Sequence, residues 1–291
     1  MDATMTEIGG KAVDEKEIMM LCKKASVEMR KDIIDMTYSA GTTGAHAGGA
    51  LSMVEIMSVL YLGIMKYDSN NTTWEERDRV VLSKGHGVMA LYAALKQKGV
   101  LDDLTSFKKN ETVLYAHPSL NMDIGIECSS GSLGMGLSFG VGQALALKKK
   151  KNSAHVYVIL GDGECDEGSV WEGAMSASHY NLDNLTVIID RNKLQYDGQT
   201  DDIMSLGSLE KKWSAFGWDT HSVDGHSVEE LYAVFKIQSG GPKAVIANTV
   251  KGKGVSFMEN NVVWHNSSLT AQNYEKAMQE QEEVYHDLFG C

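Results

Sequence analysis

The sequence predicts an α/β fold in which a doubly wound, mainly parallel sheet carries helices on both faces. Two nearly continuous apolar runs, at 155–160 (HVYVIL) and 185–189 (LTVII), have the length of strands, and a helical pattern over about 169–180 lies between them. Strands that alternate with helices form parallel sheets, and strands that are apolar throughout are buried on both faces. Because no linker or internal repeat divides the chain, we expect residues 1–291 to form one domain with a helical N-terminal segment.

The N-terminal half is predicted to be mainly helical. Apolar residues recur at helical spacing over 14–38. The run 49–65 is interpreted as a buried helix, because it is borderline in length for a membrane span and carries Glu55 near its middle. Between the two, the glycine-rich run 40–49 (AGTTGAHAGG) predicts a loop that holds His46. The next predicted elements are a strand at 79–82, a turn at 83–87, a helix at 88–95 and an irregular stretch at 105–130.

The C-terminal half contains the remaining strands of the predicted sheet. Ser227 is predicted to cap the helix that follows the third strand, because Glu230 stands three positions later. The elements predicted around the two strands described above are a helix at 133–148, a third strand at 217–223, a fourth strand at 243–248 (KAVIAN) and a final helix at about 270–289.

The composition argues against several classes of function. With 27 Lys and Arg against 39 Asp and Glu, the formal net charge is −12. Broad binding to nucleic acids or anionic membranes is not expected, because both require a positive protein surface. The four cysteines form no C-x-x-C pair and show no zinc spacing. Since the N-terminus also lacks the pattern of a secretory signal, we expect a cytoplasmic protein.

Two polar residues follow neighbouring strands of the predicted sheet. Asp162 follows the first apolar strand, and Asn192 follows the second, one βαβ crossover later. Ligands of open parallel sheets bind beyond the carboxyl ends of the strands, so we expect these side chains to lie side by side. A carboxylate with one amide oxygen suits Mg²⁺, which completes its shell with phosphate oxygens. Gly161 and Gly163 allow close backbone approach before a helix N-terminus, and together these features predict a metal-bridged diphosphate site.

The Gly-Asp-Gly triplet belongs to a larger set of motifs spread over nearly the whole chain. The others are GAHAGGALS at His46, LSKGHG at Lys84 and His86, HPSL at His117, SSGSLGMGLS at 129–138, DRNKLQYDGQT at Asn192 and TVKGKGVSFMENNVVWHN at Lys251 and His265. The triplet alone is an ordinary turn, but together the motifs resemble the N-terminal half of a transketolase, a thiamine diphosphate enzyme. The chain departs from many members at Ala45 and Ala47, where they have Gly and Pro, and at Met135, often Gln.

The resemblance implies a role for each matching residue. It implies that a divalent ion, Mg²⁺ or alternatively Ca²⁺ or Mn²⁺, is held by Asp162, Asn192 and the Leu194 carbonyl. It implies contacts to the cofactor from Lys84, His86, Gly131, Ser132, Leu133, Gly163, Asn192 and Lys251. By the same resemblance His46, His117 and His265 line the sugar hydroxyls, with His46 and His265 favoured for proton transfer because imidazole titrates near neutrality. The other histidines are interpreted as structural: His155, His179, His221, His226 and His286.

The resemblance also implies a partner. Transketolases contain a second domain that binds the aminopyrimidine ring of the cofactor and supplies the glutamate that activates it, and no segment of this sequence corresponds to that domain. The family includes transketolases divided into two subunits. We therefore expect a C-terminal partner subunit, two copies of each chain in the complex, Glu167 near a subunit contact, and negligible turnover of sugar phosphates by this chain alone.

Several alternatives share part of this pattern. A deoxyxylulose-phosphate synthase or a 2-oxo acid dehydrogenase α subunit would share the Gly-Asp-Gly and Asn signal but matches LSKGH, HPSL and the Trp264-His265 ending less well. A transketolase for an unusual sugar phosphate or a sulfo-sugar, and a non-catalytic regulatory relative, both remain open. A nicotinamide-binding protein is disfavoured, because Gly134-Met135-Gly136 is followed by Gly140, one residue out of register with G-x-G-x-x-G.

Overall fold

The computed structural model of the chain describes residues 5–8 and 11–290, with side-chain surroundings from residue 14 onward. Its strands are β1 Met5–Ile8, β2 Lys11–Asp14, β3 Arg79–Leu82, β4 Val156–Gly161, β5 Leu185–Arg191, β6 Asp219–Asp224 and β7 Lys243–Asn248. The last five form one parallel sheet in the order β3-β4-β5-β7-β6. The parallel sheet is confirmed, whereas the antiparallel β1–β2 hairpin was not predicted.

The helices follow the predicted order with ends shifted by a few residues. They are α1 Glu15–Ser39, α2 Ala47–Leu51, α3 Val54–Val59, α4 Val88–Gln97, α5 Met135–Lys149, α6 Gly168–His179, α7 Thr200–Met204, α8 Leu209–Ala215, α9 Val228–Lys236 and α10 Ala271–Phe289. The Ser227 side chain accepts a hydrogen bond from the Glu230 backbone N–H at 3.2 Å, so the predicted cap of α9 is confirmed. Helices α7 and α8 were not predicted.

The two faces of the sheet pack into different hydrophobic clusters. Side chains alternate along β4, so that Val156, Val158 and Leu160 enter one cluster and Tyr157 and Ile159 enter the other. The first cluster includes residues of α5, α6 and α8, and the second includes residues of α1, α3, α4 and α9. Helices therefore cover both faces of the sheet, which explains why its central strands are apolar without interruption.

The apolar run at 49–65 is not the single helix that was predicted. The chain there forms the end of α2, then α3, then a π-helical turn at Leu60–Ile64. The loop predicted at 40–49 also ends earlier, because α2 begins at Ala47. Gly48 and Gly49 are helical, and their neighbours pack too closely to leave room for a side chain. A Cβ atom at residue 48 would lie 2.8 Å from the Trp264 carbonyl oxygen, and one at residue 49 would lie 2.9 Å from His86 Cδ2. Among the residues that the structure describes, no helix is long and apolar enough to cross a membrane.

The register of the sheet aligns the carboxyl ends of its central strands. Gly161 at the end of β4 is paired with Asp190 in β5, and Arg191 is paired with Asn248 at the end of β7. The backbone N–H of Asp162 donates to the Asp190 carbonyl at 3.2 Å, which extends the pairing by one residue. The loops that begin at Asp162, Asn192 and Thr249 therefore leave the same edge of the sheet.

Candidate active site

A cavity of about 310 Å³ opens at this carboxyl edge. It is lined by Lys84, His86, Leu133, Gly161, Asp162, Gly163, Glu164, Asp166, Glu167, Asn192, Leu194, Gln195, Tyr196, Asp197, Lys251 and His265. The loops after β3, β4, β5 and β7 all contribute to the lining. Most of the residues that the sequence analysis selected thus surround one space.

Asp162 is held in place by backbone donors. Its two carboxylate oxygens accept hydrogen bonds from the backbone N–H groups of Gly163 at 3.0 Å and Lys193 at 2.8 Å. Only 3% of the residue is exposed, and this burial, together with the nearby Asp190 carboxylate, raises the pKa of Asp162 to about 6. A divalent cation would favour the ionised carboxylate, because it would offset both the burial and the like charge.

Asn192 and Leu194 lie beside Asp162, because the backbone N–H of Lys193 between them donates to the Asp162 carboxylate. Asn192 is 6% exposed. Its side-chain nitrogen donates to Asp190 Oδ2 at 3.3 Å and its Oδ1 accepts from the Leu194 N–H at 3.1 Å, which fixes the amide orientation. The Leu194 carbonyl accepts from the Lys251 ammonium at 3.0 Å. A positive charge therefore already contacts one of the oxygens expected to bind a metal ion.

The oxygen atoms at this edge fit an ion that takes part of its shell from a ligand. One carboxylate, one amide and one backbone carbonyl are available. Within residues 5–8 and 11–290, no cluster of three or more His, Cys, Asp or Glu side chains could hold a metal by itself. Mg²⁺ prefers such incomplete oxygen sets and fills the other positions with phosphate oxygens or water. The backbone at Gly163 packs closely against the Gln195 side chain, since a Cβ atom at residue 163 would lie 2.9 Å from Gln195 Oε1.

A buried ion pair under the cavity was not foreseen from the sequence. Strand β5 continues through Arg191, so Asp190 is a fully buried strand residue, although the apolar run that predicts this strand ends at residue 189. Its carboxylate accepts from Lys84, from Thr249 and from Ser52 Oγ at 2.5 Å. Burial acts to raise the pKa of Asp190, but Lys84 and these hydrogen bonds outweigh it and lower the pKa. Lys84 thus lines the cavity while its ammonium is paired with a buried carboxylate.

Four predicted histidines meet at the mouth of the cavity. The ring centroid of His46 lies 5.8 Å from that of His86, 5.5 Å from that of His117 and 5.5 Å from that of His265. The rings of His86 and His265 stack at 5.2 Å. These residues come from four separate segments of the chain, so their convergence is a property of the fold.

The clustered histidines are neutral at pH 7. Burial, followed by nearby cationic and imidazole groups, lowers the pKa of His46 to about 4 and that of His265 to about 3. The pKa of His86 and that of His117 are also lowered, again mainly by burial. Lys251 donates to His265 Nδ1 at 2.8 Å, so the hydrogen of His265 is on Nε2. Neutral imidazoles can accept a proton and can orient hydroxyl groups.

We expect the free energy of unfolding to fall as the pH is lowered from about 6.5, the pKa of histidine in an unfolded chain. His46 and His265 bind protons only near pH 4 and pH 3 when folded, so these two residues alone take up as many as two protons on unfolding as the pH falls from about 6.5 to about 4. Urea denaturation between pH 7 and pH 5 measures the effect. The double variant His46→Asn/His265→Asn should show a shallower decline, and an unchanged slope would contradict this assignment.

The remaining predicted residues lie at the rim. Gly131, Ser132, Leu133 and Glu167 are exposed. Gly131 faces His117, whose Cδ2 would lie 3.5 Å from an added Cβ atom. Leu133 and Glu167 line the cavity, and Glu167 occupies the N-cap position of α6.

The sequence analysis missed Glu164, a buried carboxylate in the Gly-Asp-Gly loop. Glu164 accepts from the backbone N–H groups of Gly134 at 2.8 Å and Gly161 at 3.0 Å, and from the Ser83 hydroxyl. It therefore joins the loops after β3 and β4 to the start of α5. A second acid two residues after Asp162 was the signal that could have identified it.

Comparisons with known proteins agree with this geometry. A family model described as "Transketolase, thiamine diphosphate binding domain" matches residues 23–283. A 6-deoxy-6-sulfo-D-fructose transketolase subunit from Clostridium sp. (strain MSTE9) is 44% identical over 81% of this chain and 88% of its own length. An apulose-4-phosphate transketolase subunit from Phocaeicola vulgatus is 42% identical over 90% of this chain and 94% of its own.

Single-chain transketolases match over part of their length. Human transketolase is 38% identical over 92% of this chain but 43% of its own length. The crystal structure of a Campylobacter jejuni transketolase superposes with a TM-score of 0.80 and 27% identity, covering 91% of this chain and 43% of that one. The chain thus spans less than half the length of the single-chain enzymes.

Proposed function

This chain belongs to the transketolase family, and we propose that it is the thiamine diphosphate-binding subunit of a two-subunit transketolase. One observation supports the proposal most: Asp162, Asn192 and Leu194 lie together at neighbouring strand ends, directly under the cluster of four histidines. Such a site would bind a diphosphate next to imidazole groups that can accept protons from hydroxyl groups or donate protons to them. The chain would form a single diphosphate-binding domain preceded by the helical segment that begins with α1.

The proposed cofactors are thiamine diphosphate and a divalent ion, with Mg²⁺ favoured. Asp162 Oδ, Asn192 Oδ1 and the Leu194 carbonyl would hold the ion, which would neutralise the diphosphate. When bound, thiamine diphosphate would supply the nucleophilic carbon that allows the C2–C3 bond of a ketose to break. Lys251 and Lys84 would add local positive charge near the diphosphate, in a protein whose net charge is −12.

The histidines would bind the sugar and move its protons. His46 and His265 are the proposed proton carriers, because they are neutral and adjoin each other above the cavity. His117, whose ring lies 5.5 Å from that of His46, would contact a substrate hydroxyl. His86 stacks on His265 and would hold it in place while contacting the cofactor. Together these groups would assist transfer of a two-carbon ketol unit from a ketose phosphate to an aldose phosphate.

A partner subunit is part of the proposal. Three relatives that this chain matches over 88–94% of their length are named as transketolase subunits, whereas the single-chain enzymes are more than twice as long as the matched region. We propose a pyrimidine-binding partner, with two copies of each chain, in which Glu167 lies near a subunit contact. The described cysteines, Cys22, Cys128 and Cys165, are unpaired and consistent with a cytoplasmic location.

The proposed donors include anionic ketoses outside the common set. Two relatives carry the names of a sulfonated fructose and of apulose 4-phosphate, which differ from each other at the anionic end of the sugar. Ketose and aldose phosphates are the substrate class that the site supports best. Turnover of individual donors by the reconstituted complex identifies the preferred donor.

Reconstitution with the partner subunit tests the proposed function. The chain alone should give negligible ketol transfer, and the mixed subunits should transfer a two-carbon unit from at least one donor among xylulose 5-phosphate, apulose 4-phosphate and 6-deoxy-6-sulfo-D-fructose. Product formation is followed by mass spectrometry, with ribose 5-phosphate as acceptor for xylulose 5-phosphate and with ribose 5-phosphate or glyceraldehyde 3-phosphate as acceptor for the other two donors. Robust turnover by the isolated chain would refute the two-subunit proposal. Absence of metal-dependent cofactor binding by the complex would instead favour a regulatory relative.

A further inference from the structure

Two buried side chains, Arg30 and Glu55, and the partly buried His226 form a charged network outside the cavity. Arg30 of α1 and Glu55 of α3 are 7% and 6% exposed, and Arg30 Nη2 donates to Glu55 Oε1 at 2.5 Å. The other oxygen, Glu55 Oε2, lies 2.9 Å from His226 Nδ1. His226 precedes α9, so the network joins three helical regions beneath the edge of the sheet.

The hydrogen-bond partners of His226 indicate which ring nitrogen carries the hydrogen. The backbone N–H of Val250 points at His226 Nε2 over 2.8 Å. A backbone N–H can only donate, so Nε2 carries a lone pair and the ring hydrogen is on Nδ1, where it is donated to Glu55. His226 therefore connects the Glu55 carboxylate to the main chain at Val250 through two hydrogen bonds.

The same network binds the main chain on both sides of Lys251. His226 accepts from Val250 on the N-terminal side, and Arg30 Nε donates to the Lys253 carbonyl at 3.1 Å on the C-terminal side. Gly254 packs directly on Arg30, because a Cβ atom there would lie 2.6 Å from Nε. The Lys251 ammonium, at the other end of a long side chain, contacts the Leu194 carbonyl and His265 Nδ1 in the cavity.

We propose that His226 is a positioning residue for Lys251: with Glu55 and Arg30 it fixes the main chain at 250–254 and thereby places the Lys251 ammonium for the bound diphosphate. This inference rests on the proposed function, in which Lys251 contacts the cofactor. It revises the purely structural interpretation that the sequence alone gave to His226. A flexible lysine contributes most to binding when its backbone is held still, since less freedom is lost on binding.

Two substitutions at His226 separate the two hydrogen bonds of the ring. In His226→Gln the side-chain oxygen can reach the Val250 N–H in place of Nε2. In His226→Asn the shorter amide can reach only Glu55 in place of Nδ1. We expect the Asn variant, in complex with the partner subunit, to bind thiamine diphosphate about tenfold more weakly, the effect of one lost, partly buried hydrogen bond. The Gln variant should stay within about threefold of the unmodified complex.

A double-variant cycle distinguishes positioning from a general loss of stability. The affinity for thiamine diphosphate, with Mg²⁺ present, is measured by calorimetry for His226→Asn, for Lys251→Met and for both together. If His226 acts through Lys251, His226→Asn has no further effect once Lys251 is methionine. Additive losses, or equal affinities for the Asn and Gln variants, would overturn the inference. His221→Asn is the matched control, because His221 lies on β6 and pairs with Asp219 at 3.0 Å, outside this network.

Two further results keep the inference separate from the proposed function. If Lys251→Met leaves the affinity of the complex unchanged, the cofactor role of Lys251 fails and the inference fails with it. The ¹⁵N NMR signals of the His226 ring, recorded on the unmodified protein, require no variant to fold. A neutral ring with hydrogen on Nδ1 supports the inference, and a ring with hydrogen on Nε2 or a charged ring contradicts it.

Discussion

Replacing Asp162 with alanine should abolish the metal-dependent retention of thiamine diphosphate by the complex. The carboxylate is the one charged group among the proposed metal ligands, and its two backbone donors hold it at the end of β4. Without it the bridging ion would lose its only anionic protein ligand, and the diphosphate would lie in a cavity that is also lined by the Glu164 carboxylate, without full neutralisation. We expect the affinity to fall by about 100-fold or more, measured by calorimetry with and without Mg²⁺.

Asp183→Ala provides the control for this variant. Asp183 is also an aspartate next to β5, but it precedes the amino end of the strand and pairs on the surface with Lys148 at 2.7 Å. It should bind cofactor like the unmodified chain. If Asp162→Ala folds and still binds thiamine diphosphate normally in the presence of Mg²⁺, the metal assignment is wrong.

Replacing His46 with alanine should remove most of the turnover while cofactor binding is kept. His46 lies at the centre of the histidine cluster, within 6 Å, centroid to centroid, of His86, His117 and His265. The lowered pKa of His46, about 4, keeps it neutral and able to accept a hydroxyl proton at pH 7. Loss of a general acid–base group costs about 100-fold or more in kcat. Steady-state kinetics of the reconstituted complex measure the change.

The same experiment includes a cofactor measurement and a surface control. His46 does not line the cavity at the strand ends, so the affinity of His46→Ala for thiamine diphosphate should stay within about threefold of the unmodified value. His286→Ala, on the exposed side of α10, should leave kcat unchanged. A normal kcat for His46→Ala would exclude it as a proton carrier.

Much of the site could be predicted because local sequence determines it. Strands β4 and β5 are almost entirely apolar up to Leu160 and Ile189, so their ends, and the polar residues after them, are visible in the sequence. Parallel pairing then brings Asp162 and Asn192 to one edge without further information. The glycines and histidines were recognised through motifs, and the fold has brought four of those histidines together.

The parts that were not predicted depend on contacts between distant segments. Asp190 is paired with Lys84, more than a hundred residues earlier in the chain, and nothing near Asp190 indicates that partner. Gly48 and Gly49 looked like loop residues because their neighbours in space, Trp264 and His86, cannot be known from the local sequence. The role of His226 likewise depends on Glu55 and Val250, which come from two other regions of the fold.

A crystal structure of the two-subunit complex grown with thiamine diphosphate and Mn²⁺ tests the central claim most directly. We predict an anomalous peak for the ion in direct contact with Asp162 Oδ, Asn192 Oδ1 and the Leu194 carbonyl, and with phosphate oxygens of the cofactor. In that structure the Lys251 ammonium should have turned from the Leu194 carbonyl towards the diphosphate. A cofactor bound elsewhere, or an ion in contact with neither Asp162 nor Asn192, would contradict the account.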